Sequence, residues 1–364
     1  MTIKLKPLNQ QVMVVLGASS GIGRALCLAA AERGASVLAA ARGEQGLVSL
    51  VDEIAVKGGR ADYAVCDASD FDQVRTVADH AVTQFGRIDS WVNVVGTSVY
   101  ARFEETTPLE FRRIMEINFM GQVHGALAAL PHLRRQGGAL IAISSVESIV
   151  SLPLHSAYAA SKHAVEGAFD ALRRELMADR VPVSVTSIKP ATINTPFFAN
   201  SRSKLDVKPQ GAPPFYEPEV VVDAVLHAAE HPVRELIVGG AGRLMVAQQL
   251  NAPRLMDRLM ARTGISAQRS EEPAPNGREG NLYLPGGEPD TAHGEFESKA
   301  KSFSAYTWLQ THPAARMLAT GAALGGAVML AGRLSAAPSS ASAKPSRIGP
   351  NKATTRTSRP ELMI

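Results

Sequence analysis

Residues 12–23 read Val12-Met-Val-Val-Leu-Gly17-Ala-Ser-Ser-Gly21-Ile-Gly23, a short β-branched run that passes through glycines into a helical stretch. Over residues 22–33 the apolar positions Ile22, Leu26, Ala29 and Ala30 share one helical face. The pattern repeats outward from this unit. Strand-like segments follow at 36–41 (SVLAAA), 62–67 (DYAVCD), 90–96 (SWVNVVG), 138–145 (GALIAISS), 181–190 (VPVSVTSIKP) and 235–240 (ELIVGG). Helical patterns at 44–57, 71–85, 108–135, 157–179 and 218–230 separate them. The strands are apolar without clean alternation, which suits a parallel sheet covered on both faces. Residues 8–242 therefore read as an α/β fold, doubly wound and mostly parallel.

Composition sets the outer limits. Apolar residues make up 45% and charged residues 20% of the 364, so a large core can form and global disorder is excluded. The net charge of +4, from 38 basic and 34 acidic side chains, comes with no Lys/Arg stripe interleaved with aromatics, so no nucleic-acid partner is expected. Cys27 and Cys66 form no Cys-x-x-Cys pair, and no His/Cys cluster has zinc spacing; no metal is expected, and both cysteines read as core residues. The start, MTIKLKPLNQQ, is polar and carries no signal-peptide pattern, which with the cysteine usage points to a reducing, cytoplasmic compartment.

Beyond residue 242 the pattern changes. Residues 243–265 read as an amphipathic helix with Leu244, Met245, Leu250, Leu255 and Leu259 on its apolar side. Residues 266–310 are rich in Pro, Gly and Glu and read as linker or loop. Within 311–333, Arg316 and Arg333 bracket sixteen uncharged residues. The stretch 314–332 is close to the ~17–25 residues of a spanning helix and is a candidate membrane anchor, although Ala and Gly make it only moderately apolar. A helix packed on the protein or its partner and a disordered segment are the other readings. The basic tail 334–364 reads as disordered and would suit an anionic membrane face.

The glycines after the first strand carry the first chemical signal. Gly17 permits a tight turn, and Gly21 and Gly23 allow backbone and helix to approach a pyrophosphate at the helix N-terminus. Gly17, Ser19, Ser20, Gly21, Ile22 and Gly23 are thus candidate dinucleotide contacts. The second strand ends Ala39-Ala40-Ala41-Arg42, without the acid that would accept from a ribose 2′-hydroxyl. Arg42 is placed instead for a 2′-phosphate, so NADP(H) is favoured over NAD(H); the competing reading is a solvated surface charge. Asp67 either bonds the adenine amine or caps the next helix.

Tyr158 and Lys162 lie four apart on a predicted helix, one turn from each other. An ammonium beside a phenol favours the phenolate, so the pair suits proton transfer to or from a carbonyl oxygen. Ser145, at the end of the preceding strand, can hold that oxygen, and Asn118 can bind a water leading to Lys162. Each residue alone is more often structural; the conjunction points to chemistry.

That set, Gly17-x-x-x-Gly21-x-Gly23, Asn93-Val-Val-Gly96, Asn118, Ser145, Tyr158-x-x-x-Lys162 and Pro190 with Thr195, resembles the short-chain dehydrogenase/reductase family of standard length over about residues 10–240. The resemblance implies a Rossmann-type sheet of about seven strands, an Asn118–Ser145–Tyr158–Lys162 tetrad and a mobile substrate loop after Thr195. It also implies cofactor contacts at Asn93, Gly96, Pro190, Ile193 and Thr195, and homo-oligomers. Leu16, Val94-Val95 and Ala191 depart from the family's usual Thr, Asn-Ala and Gly, which touches cofactor geometry and not proton chemistry. The expected activity is NADP(H)-dependent reduction of a carbonyl or oxidation of a secondary alcohol. The substrate is expected to be apolar, from Leu152, Leu154, Phe197, Phe198, Phe215 and Tyr216. Glu147 and His155 read as solvated polar residues without a catalytic part. The rival readings are a non-catalytic NADP(H)-binding scaffold and an isomerase or dehydratase on the same fold.

Overall fold

A computed structural model of the chain describes residues 3–274, 278–286, 291–318, 320 and 349. Seven parallel strands form one sheet: β1 (Val12–Leu16), β2 (Ser36–Ala41), β3 (Arg60–Val65), β4 (Ser90–Asn93), β5 (Gly138–Ile143), β6 (Val183–Pro190) and β7 (Glu235–Val238), in the order β7-β6-β5-β4-β1-β2-β3. The order reverses between β1 and β4, which opens a crevice at their carboxyl ends.

The central strand shows why its sequence lacks alternation. Met13 and Val15 enter one core with helices α1 (Gly21–Glu32), α2 (Glu44–Val56) and α8 (Pro218–Glu230). Val14 and Leu16 enter another with α3 (Phe71–Phe85), α5 (Gly121–Gln136) and α6 (Ser156–Ala178). A sheet with two buried faces needs apolar residues at every position. Helix boundaries follow local chemistry. Asp70 caps α3 by accepting from the Asp72 and Gln73 amides, and Gly86 closes it in the left-handed region. Thr107 and Glu110 form a capping box around Pro108 at the start of α4 (Pro108–Met115). Between α4 and α5 the backbone widens into a π turn, Glu116–Met120, where a continuous α-helix was expected.

The C-terminal segments differ most from their sequence reading. The amphipathic helix expected over 243–265 is two helices, α9 (Gly240–Asn251) and α10 (Pro253–Thr263). The break falls at Ala252 because Pro253 cannot donate into a continuing ladder and disfavours helical backbone before it. The expected linker 266–310 is folded onto the sheet domain. Arg269–Pro273 pairs antiparallel with Val207–Pro209, Ala300–Lys301 pairs parallel with Phe215–Tyr216, and α11 (Ala305–Thr311) follows. Leu282 is fully buried among Val99, Ile114, Ile117 and Ala157, and Phe296 stacks on Phe215 at 4.3 Å. The compact unit therefore runs to Pro313 rather than ending near 242. The candidate anchor 314–332 and the tail 334–364 lie almost wholly outside the described residues; among those described, no helix is long and apolar enough to cross a membrane.

Burial of Leu282 makes a direct stability prediction. Leu282→Ala should lower the unfolding free energy by about 2–5 kcal/mol in urea titrations, as for other leucines removed from a packed core. An unchanged midpoint would return residues 278–286 to the status of a linker.

Candidate active site

The crevice at the ends of β1 and β4 is lined by Gly17, Ser19, Ser20, Gly21, Ile22, Arg42, Asp67 and Gly96. Its floor is shaped by two glycines. Gly17 has φ +100°, and a Cβ there would lie 2.8 Å from the Val95 amide nitrogen. A Cβ on Gly23 would lie 2.0 Å from the Gly17 carbonyl oxygen, so only hydrogen fits where α1 meets β1. Ser20 occupies the N-cap of α1 without using its hydroxyl as a cap, leaving the helix start open toward the crevice. Thr195 lies beside Gly21, whose amide already donates to the Thr291 carbonyl at 2.8 Å.

Arg42 is half-buried rather than a solvated charge. Its Nη2 donates to the Asn281 carbonyl at 2.6 Å, and its Nη1 is buried without a protein partner. Burial lowers its pKa, with Asp67 opposing that shift and Arg113 reinforcing it. Asp67 accepts from the Ser69 amide and hydroxyl and from Arg113 at 3.0 Å. Burial would raise its pKa, but these donors hold it below the usual carboxylate value. The cap of α3 is Asp70, not Asp67. Asn93 departs from its expected cofactor contact: its amide accepts from Trp91 at 2.8 Å and donates to the Gln122 carbonyl at 3.2 Å, bracing β4 against α5.

No sequence signal marked the outer wall. Asn281, Pro285 and Gly286, from the supposed linker, complete the crevice. The Asn281 side chain bonds the Thr97 hydroxyl, and Arg113 donates to the Leu282 carbonyl at 3.1 Å.

A second cavity joins the first and holds the proton-transfer candidates. Ser145, Tyr158, Lys162, Pro190, Ile193 and Gly96 all line it. Ser145 follows β5, and its Oγ accepts from the Glu147 amide at 3.0 Å, leaving its O–H to donate. Tyr158 and Lys162 sit one turn apart on α6, with the ammonium 5.5 Å from the phenol ring centre and donating to the Ile143 carbonyl at 2.9 Å. Asn118, in the π turn, is fully buried. It accepts from the Thr97 amide and donates to the Thr97 carbonyl and the Ser161 hydroxyl, so its side-chain amide braces that strand end. Burial, then the Glu147 carboxylate, push the Tyr158 phenol up, against the pull of a Ser145 hydrogen bond. The lowering expected from Lys162 does not prevail. Burial pulls the Lys162 ammonium down to about 8, with Glu166 and Glu147 opposing.

Of the six apolar residues expected on the substrate side, Leu152, Phe197 and Phe198 line the cavity and Leu154, Phe215 and Tyr216 do not; Met245 joins them, and Tyr158 packs edge-on against Phe197 at 5.7 Å. The loop after Thr195 is tied down. Arg202 and Lys204 bond the buried Glu110 at 2.7 and 2.8 Å. Glu147 and His155 are not solvated; both are buried on this cavity. Elsewhere, Glu217, Glu219 and His293 bring ligand-type atoms within 4.8 Å of one another, but His293 and Glu219 read as an ion pair 2.9 Å long.

A short chain dehydrogenase family model matches residues 11–206. The chain belongs to the short-chain dehydrogenases. It is 38% identical over 284 residues to the uncharacterized oxidoreductase YxnA of Bacillus subtilis, covering 77% of this chain and 80% of that protein. It is 31% identical over 272 residues to the bovine dehydrogenase/reductase SDR family member 7B, covering 71% and 83%. Among solved structures, a short chain dehydrogenase from Mycobacterium paratuberculosis bound to NAD superposes with TM-score 0.58 at 27% identity, over 64% of this chain and 97% of that one. An alcohol dehydrogenase from Thermococcus sibiricus complexed with 5-hydroxy-NADP superposes with TM-score 0.54 at 26% identity, over 63% and 95%. This short-chain dehydrogenase is therefore an alcohol/carbonyl oxidoreductase.

The contact between Gly17 and Gly23 gives a test of the crevice. Gly23→Ala must push α1 away from β1, and dinucleotide affinity in a fluorescence titration should fall at least about tenfold, or 1.4 kcal/mol. Wild-type affinity in this variant would show that the glycine loop does not shape the site.

Proposed function

We propose that the protein is an NADP(H)-dependent carbonyl reductase using Ser145, Tyr158 and Lys162, with Asn118 as their brace. The observation that carries this reading is the convergence of a phenol, a serine hydroxyl able to donate and a buried ammonium on one cavity that shares Ile22, Val94 and Gly96 with the dinucleotide crevice. The residues present fit the cofactor. Gly17 and Gly23 form a cradle that a Cβ would fill, and Arg42 Nη1 is a buried donor awaiting an acceptor. An unmatched buried guanidinium nitrogen suits the 2′-phosphate of NADP(H), a group NAD(H) lacks.

When bound, NADPH supplies the hydride. Ser145 donates to the substrate oxygen and fixes it beside Tyr158. The Tyr158 phenol, held protonated by burial and Glu147, gives its proton to that oxygen as negative charge develops there. Lys162 stabilises the phenolate left behind, its position fixed by the Ile143 carbonyl. Asn118 holds Thr97 from both sides and so fixes the strand end facing Lys162. Pro190 and Ile193 line the cavity and supply the wall on the nicotinamide side.

Cofactor choice and proton chemistry are tested separately. The wild-type protein should bind NADPH at least about tenfold more tightly than NADH, and Arg42→Ala should remove most of that difference. Equal affinities in the wild type would reject the 2′-phosphate reading. The pH profile follows from Lys162, which must be charged to stabilise phenolate. Its pKa near 8, against the ordinary 10.5, predicts that kcat/KM for carbonyl reduction is level below pH 8 and falls above it. A profile level to pH 10 would remove Lys162 from the proton step, and full activity in Tyr158→Phe would remove Tyr158.

A further inference from the structure

The substrate cavity contains a polar group of residues that neither give nor take the transferred proton. Glu147 and His155 are bonded to each other, Oε1 to Nδ1, at 2.9 Å, and their side chains are 8% and 5% exposed. The second atom of each, Glu147 Oε2 and His155 Nε2, is buried without a protein partner. So is the hydroxyl of Tyr100, a fully buried residue whose ring packs against His155 at 4.2 Å. All three residues line the cavity that holds Tyr158, and the His155 and Tyr158 rings are 5.6 Å apart.

Buried polar atoms are almost always matched, and three unmatched atoms on residues that line one cavity mark where a ligand's polar group belongs. A carboxylate only accepts, so the His155 Nδ1 facing it carries a proton, and Nε2 is left for a ligand. The array thus offers an acceptor, Oε2, the ring nitrogen Nε2, and one hydroxyl, Tyr100, able to donate or accept. A substrate hydroxyl satisfies both kinds at once. A substrate carboxylate would meet the Glu147 charge, and a substrate ammonium would meet Lys162 and leave the Tyr100 hydroxyl without an acceptor.

We infer that Glu147, His155 and Tyr100 form a recognition site for a hydroxyl on the substrate, making this a reductase of hydroxyketones, in which the second oxygen lies one or two carbons from the carbonyl. The 5.6 Å between the His155 and Tyr158 ring centres sets that separation. The inference rests on the reductase reading above and names the substrate class of the same site. A site built around a hydroxyl discriminates strongly against the analogue that lacks it, because its own buried groups are then left unpaired.

The test uses the full-length protein with NADPH and matched carbonyl pairs: hydroxyacetone against acetone, acetoin against butanone, and diacetone alcohol against methyl isobutyl ketone. Within at least one pair, kcat/KM for the hydroxyketone should exceed that for the plain ketone by about ten- to hundredfold, mainly through KM. Glu147→Gln and Tyr100→Phe should each reduce that ratio toward one, while NADPH titration confirms that the variant is folded and loads cofactor. Comparable kcat/KM values within all three pairs in the wild type overturn the inference and leave the reductase reading standing. A wild-type ratio that survives in both variants also overturns it. No NADPH oxidation with any of the six compounds, from protein that binds NADPH, counts against both readings.

Discussion

The contact between Gly23 and Gly17 is the constraint on which the rest of this molecule depends. A methyl group at Gly23 would sit 2.0 Å from the Gly17 oxygen, so α1 touches the end of β1 in a way no side chain permits. That contact aims the start of α1 at the crevice, where Thr195 lies beside Gly21. Both faces of β1 are sealed by helices, and the crevice lies at the strand's carboxyl end. Cofactor crevice and substrate cavity meet there because β4 and β5 end at the same level, at Asn93 and Ile143, and hand on to Gly96 and Ser145.

Burial governs the chemistry at that meeting point more than proximity of charge does. Lys162 is buried and loses part of its hold on a proton; Tyr158 is buried and keeps its own more firmly. The Glu147 carboxylate pushes both groups the same way, toward the protonated form. An enzyme oxidising alcohols would gain from a phenol that ionises readily; this one carries a buried carboxylate that opposes ionisation. Burial and this carboxylate together hold the Tyr158 phenol toward its protonated form. The same carboxylate belongs to a residue that lines the cavity, so the lining of the cavity and the proton affinity within it are coupled through a single side chain.

The alternating elements from β1 to β7 were legible because each combines period with punctuation: an apolar run, a glycine or acidic cap, then an amphipathic stretch. Ser145, Tyr158 and Lys162 were legible because their spacing joins a strand end to one turn of a helix, a short-range relation. Other features were hidden for a definite reason in each case. The π turn at Glu116–Met120 differs from an α-helix by one residue of winding and leaves apolar periodicity nearly intact. Asn93 reads as a cofactor contact in a motif, yet its amide is used by Trp91, two residues away, and by a carbonyl on α5. Glu147 and His155, eight apart in sequence and polar, look like loop residues until the turn after β5 folds them together under Tyr100.

Residues 278–301 show the limit most clearly. Their composition, rich in Gly, Glu and Pro, is that of a chain with no core of its own, and such a segment carries no period to read. What fixes it is a few single residues fitted to the surface of the sheet and helices in the same compact unit: Leu282 into the cluster of Val99 and Ile114, and Phe296 onto Phe198 and Phe215. Between these anchors its backbone takes up polar groups of the crevice, with the Asn281 carbonyl on Arg42 and the Thr291 carbonyl on Gly21. Arg42 therefore divides its guanidinium between the protein's own chain and the open crevice, with Asp67 and Arg113 setting the local charge. The outer wall of the cofactor crevice is contributed from more than two hundred residues downstream of its floor, a relation that no local pattern encodes and only the folded surface reveals.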